Sequence, residues 1–97
     1  MNVGVCKIRL RLPENQSLKG KRQILKSIIS RVDNKFNVSV AEVDDQDLWQ
    51  VATLGICYVS NDRRHADEVL SKAAAFVVNG RFDVEILGYE IEVISVF

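Results

Sequence analysis

Four cations crowd one short stretch of this chain. Lys19, Lys21, Arg22 and Lys26 follow Ser17, the residue at which an amphipathic helical pattern begins. A helix start offers free N–H groups and the positive end of the peptide dipole, so it favours anions and disfavours lysines. Cations gathered there suit a phosphate. A second segment has the opposite character: Asp44-Asp45-Gln46-Asp47 carries three carboxylates in four residues. Two readings of the pair stay open at this level. Either Lys19, Lys21, Arg22 and Lys26 contact the phosphates of a nucleic acid, or the aspartates neutralise them at home.

Three close aspartates also raise the question of a hard cation such as magnesium. The full calcium-loop pattern of oxygen ligands and glycine is absent, so no metal is expected. Trp49 closes the acidic run. Its indole can stack on a base or fill the rim of the core, and the core is the expectation. His65 has no nucleophile near it in the pattern and reads as structural. Arg63 and Arg64 read as a solvated face. Cys6 and Cys57 lie in separate apolar runs without zinc spacing and read as free thiols. With no catalytic constellation and no cofactor motif, the chain is not expected to be an enzyme.

The wider charge pattern reinforces the basic reading. Through Asn37 there are nine basic residues against Glu14 and Asp33, a net of +7, and the remainder balances this at −7. Such asymmetry points to a basic surface that meets an anionic partner. Ninety-seven residues make one domain, 1–97. No apolar run reaches membrane-spanning length. Lys7, Arg9 and Arg11 interrupt any signal-peptide core, which predicts a cytoplasmic protein.

Six elements position these groups. Val3 to Leu12 alternates Ile8, Leu10 and Leu12 with Lys7, Arg9 and Arg11, which predicts a strand. Pro13 to Gln16 forms a turn, and Ser17 caps a helix whose buried stripe is Leu25, Ile28, Ile29, Val32 and Phe36. Asn37 to Val43 and Val51 to Val59 are further strands around the acidic loop. Asp62 begins a second helix with Ala66, Val69, Leu70, Ala73 and Val77 inward, and Asn79-Gly80 stops it. Val84 to Phe97 is a last strand, bent or bulged at Gly88.

The order βαββαβ predicts an α+β, ferredoxin-like sandwich: a four-stranded antiparallel sheet, order 4-1-3-2, with both helices on one face. Parity then assigns the open face. Val3, Val5, Lys7, Arg9 and Arg11 on the first strand share it with Glu90, Glu92, Ile94 and Val96 on the last. The expected neighbours are Val3 with Val96, Val5 with Ile94, Lys7 with Glu92 and Arg9 with Glu90. The aliphatic strip Val3, Val5, Ile94 and Val96 is a candidate homodimer interface. Cys6 faces the helices and Cys57 the open side, so they should not bond. The open face lacks the aromatic residues of an RNA-recognition sheet, since Tyr58 points to the core.

The chain resembles the YlxP-like family of small bacterial proteins. The likeness rests on Ser17-Leu18-Lys19-Gly20-Lys21-Arg22, on Phe36 through Gln50, and on Ala52-Thr53-Leu54-Gly55 through Ser60-Asn61-Asp62. Gly20 departs from it, an acidic residue being usual there. The resemblance implies a ferredoxin-like domain and an association with translation, with no catalytic residues to carry over.

The leading expectation is a non-catalytic accessory factor. It binds RNA or a ribosome-maturation intermediate through Lys19, Lys21, Arg22 and Lys26. The alternative is a dimeric scaffold that uses the open sheet. Acylphosphatases share the size and fold class. Their glycine-rich phosphate loop is replaced here by Leu12-Pro13-Glu14-Asn15-Gln16-Ser17.

Overall fold

The alternating first segment forms strand β1 (Asn2–Arg11), in a computed structural model that describes residues 1–97. Ile8, Leu10 and Leu12 are fully buried, as the period-two pattern requires. Helix α1 (Leu18–Phe36) follows. The Ser17 side chain accepts the Gly20 N–H at 2.9 Å, satisfying one of the free donors at the helix start. The helix ends where Asn37 turns into the left-handed region (φ 51°) and donates its N–H to the Asp33 carbonyl. Leu25, Ile28 and Val32 form its buried face.

Strands β2 (Ser39–Asp44) and β3 (Val51–Ser60) make a hairpin around the acidic loop. Helix α2 (Arg63–Asn79) begins at Asp62, whose carboxylate accepts from the N–H groups of Arg64 and His65. Strand β4 (Glu85–Ser95) closes the chain. The sheet is antiparallel, ordered β2-β3-β1-β4, in the ferredoxin-like arrangement. Both helices pack on one face, over the core built by Ile8, Leu10, Leu54, Ile56, Leu70 and Val77. No helix is long and apolar enough to cross a membrane.

Helix α2 approaches β1 closely at Gly4. A Cβ there would lie 2.5 Å from Leu70 Cδ1, so a side chain would force the buried Leu70 side chain to repack. The irregularity expected near Gly88 is present. Arg9 pairs with Gly88 and Leu10 with Ile86, which leaves Leu87 as the extra residue of a bulge.

The register between β1 and β4 corrects the expected neighbours by two residues. Val3 lies opposite Ile94, Val5 opposite Glu92, Lys7 opposite Glu90 and Arg9 opposite Gly88. A shift of two keeps every side chain on its predicted face but changes its partner. The aliphatic strip is therefore shorter than expected. Val96 lies beyond the strand, and its N–H donates to the Met1 carbonyl. The expected ion pairs of Lys7 and Arg9 are not formed, and the open face holds only Arg11–Glu85, at 3.8 Å between two exposed side chains.

Parity is right for the cysteines. Cys6 pairs with Ile56 on the helix side, Val5 pairs with Cys57 on the open side, and both thiols are free. Burial pushes the Cys6 thiol up to about 11, because the thiolate would lose its hydration there. Tyr58 turns to the helix side opposite Gly4, and its hydroxyl lies 3.1 Å from His65 Nε2. That contact gives His65 a structural partner.

Candidate nucleic-acid interface

One end of the domain brings the start of α1 against the loop between β2 and β3. The turn after β1 and the acidic loop are far apart in sequence, but β1 and β3 are paired neighbours, so their connections meet. Lys21 is the centre of this junction. Its side chain is only 1% exposed. Its ammonium donates to the carbonyls of Asp45 and Leu48, each at 2.7 Å. It also lies 2.8 Å from Glu42 Oε2. That buried oxygen has no well-directed hydrogen bond, so charge attraction rather than a directed N–H bond holds the pair.

This corrects the expectation for Lys21. A buried ammonium with three oxygen neighbours does not reach a phosphate in solvent. The correction extends to its partner, because the neutralising carboxylate is Glu42 on β2 and none of the three aspartates forms an ion pair. Residue pattern missed Glu42 because it reads there as a strand residue. Its position opposite Leu54, on the helix face, is the signal that could have found it.

The aspartates shape the loop. Asp45 adopts a left-handed backbone (φ 60°) and accepts from the Thr53 hydroxyl at 2.7 Å. Asp44 Oδ1 accepts the Asp45 N–H at 2.8 Å. No group of His, Cys, Asp or Glu side chains converges as metal ligands do.

A second clasp ties the same loop to the start of α1. Asn15 Nδ2 donates to the carbonyls of Ser17 at 2.8 Å and of Trp49 at 2.6 Å. Gln50 Nε2 donates back to the carbonyls of Pro13 at 3.3 Å and Asn15 at 3.1 Å. Gly20 makes room for this, since a Cβ on it would collide with Asn15 Oδ1. Glycine at this position thus fits a close approach.

The clasp decides where Trp49 goes. The indole was expected at the core rim; instead it is 55% exposed, with Leu48 beside it at 50%. The loop's backbone carbonyls are turned inward to Lys21 and Asn15, and its two large apolar side chains are turned out. Lys19, Arg22 and Lys26 are all exposed and enter no ion pair. Spacings of three and four residues put them on one stripe of α1, roughly 10 Å long. Of the four expected phosphate contacts, three are therefore displayed together and one is the buried anchor of the loop next to them.

Comparison with known proteins follows the same outline. A family model described as a protein of unknown function (DUF503) matches residues 3–91. The uncharacterized protein YlxP of Bacillus subtilis (strain 168) is 48% identical over 61 residues, covering 63% of this chain and 66% of that protein. The aligned stretch thus spans just under two thirds of that relative. Among solved structures, an amidase of the hydantoinase/carbamoylase family from Burkholderia phymatum is similar with a TM-score of 0.56. It is 13% identical, over 96% of this chain and 28% of that one, which shows a shared fold alone. A REP-associated tyrosine transposase bound to a REP hairpin is similar at a TM-score of 0.43 and 14% identity, over 99% of this chain and 58% of that one, too distant to carry an argument.

Proposed function

We propose, for a chain that belongs to the DUF503 family of proteins of unknown function, that it is a non-catalytic RNA-binding accessory factor acting through the stripe Lys19, Arg22 and Lys26. The observation that carries the reading is the division of labour at the start of α1. Lys21 takes the buried position against Glu42, and its three neighbours stay exposed and unpaired. Three cations on one helical stripe match the repeating charge of a nucleic-acid backbone better than a single small anion. A ribosome-maturation intermediate, met in the cytoplasm, is the setting this chemistry fits. Filter binding with structured RNA tests it. Affinity at low salt that falls steeply as salt rises supports the reading, and absence of affinity even at low salt removes it.

A second reading, a dimer formed through the open sheet, has its own support. Lys7, Arg9, Glu90 and Glu92 are exposed there without ion pairs. Lys7, Glu90 and Glu92 border a shallow trough of about 680 Å³ floored by Val5, Ala41, Val43, Gly55 and Cys57. Opposite charges on adjacent strands of one face can be satisfied by a second copy.

A further inference from the structure

We infer that Trp49 is a base-stacking residue, and that the RNA bound at this end of the domain presents an unpaired, single-stranded base. The inference rests on the phosphate-binding reading of Lys19, Arg22 and Lys26 and adds the class of RNA and the residue that selects it. An exposed indole is costly to leave in water, and here it is held out by construction. Asn15 fixes the Trp49 carbonyl, Lys21 fixes the Leu48 carbonyl, and Gln50 is tied to the turn before α1. A side chain on so restrained a backbone loses little further freedom on binding, which is what a stacking platform needs.

The surroundings favour a base over other occupants. The same Asn15 amide that holds the Trp49 carbonyl also holds the Ser17 carbonyl, so the Trp49 backbone lies beside the start of α1, where Lys19 and Arg22 are exposed. A nucleotide strand that follows the cationic stripe to the start of α1 brings a base toward Trp49. Asp44 and Asp47, exposed on the same loop, repel phosphate and accept hydrogen bonds from exocyclic amines. The loop side thus suits the base, and the helix side suits the backbone. In a duplex the bases are already stacked on one another, so a lone indole has no face to meet.

Trp49 is the only tryptophan in the chain, so its emission reports the contact directly. The probes are a short oligouridylate, a short oligoadenylate and an RNA duplex matched in phosphate count, added to the full chain at low salt. The expected result is emission quenched by the single strands and unchanged by the duplex. In filter binding, W49F keeps most of the affinity, and W49A loses about five- to hundredfold for single strands. Neither variant loses the fold, since the indole packs outside the core. Single-strand binding without quenching, or W49A binding as well as the parent, overturns the inference and leaves the phosphate reading in place. It then points to Trp49 and Leu48 as an apolar anchor for a protein. Failure to bind any of the three RNAs overturns both.

Discussion

Lys21 Nζ lies 2.8 Å from Glu42 Oε2, and the same ammonium donates to two carbonyls of the loop that follows Glu42. One side chain on α1 thereby fixes the strand and the loop at once. Burying a charge costs several kcal/mol unless it is paired and its donors are used. Lys21 uses its donors on backbone atoms whose positions decide where Leu48 and Trp49 point. The pair is better understood as a device for placing the loop than as a source of net stability.

Lys21→Met is expected to destabilise the domain by about 3 kcal/mol, because the Glu42 carboxylate and two loop carbonyls are left without their partner. The double variant Lys21→Met with Glu42→Leu should recover most of that loss, since replacing both charges removes the desolvation penalty. Urea denaturation of the two variants measures this. In the double variant the loop should still be looser, seen as faster amide exchange at Leu48 and Trp49.

Charge reversal separates the displayed cations from the buried one. Lys19→Glu, Arg22→Glu and Lys26→Glu should each weaken RNA binding and flatten the dependence of log affinity on log salt by about 0.7 or more. Stability should change little, because none of the three makes an ion pair. Arg9→Glu, on the open face at the other side of the sheet, should leave the salt slope unchanged. Salt titrations of binding at constant pH decide the matter.

Gly4→Ala should lower stability by about 1–3 kcal/mol, as the new methyl group meets Leu70 Cδ1 at 2.5 Å and the buried leucine must repack. Adding Leu70→Ala in the same chain should give back part of the loss if the collision is the cause. Thermal or urea unfolding of both chains provides the test.

Cys6 should behave as an inert thiol. Burial raises it from 9.0 to about 11, so the folded chain holds the thiol proton more tightly than the unfolded one. The resulting stability is fully present below pH 9 and is lost as pH rises from about 9 toward 11. Cys6→Ala should flatten that alkaline decline. At pH 8 a thiol reagent should modify Cys57 readily in the native protein and reach Cys6 only after denaturant is added.

Pairing through the open face should be sensitive to Val5→Glu and Ile94→Glu, which put carboxylates beside Glu92 and on the partner of Val3. Light scattering should show the parent above, and the variants at, the 11.0 kDa of one chain. A single-chain mass for the parent at high concentration overturns the dimer.

The sequence by itself determined the elements and the faces. Period-two alternation in β1, the stripe Leu25, Ile28 and Val32, and the caps Ser17 and Asp62 are local features, set by backbone geometry and by which residues must leave water. They carried the order βαββαβ and the separation of Cys6 from Cys57. Only the tertiary structure decided the partners. A two-residue shift between β1 and β4 preserves every face, so parity was blind to it. The inward side of Lys21 is carried by the helical spacing it shares with Leu25, Ile28 and Val32, but its partners are not. Packing of α1 against β2 is what sets Glu42 and the two loop carbonyls around that ammonium. That burial, with the Asn15 clasp, turns Trp49 outward. Contacts between segments more than twenty residues apart depend on how the layers are assembled, which no local pattern records.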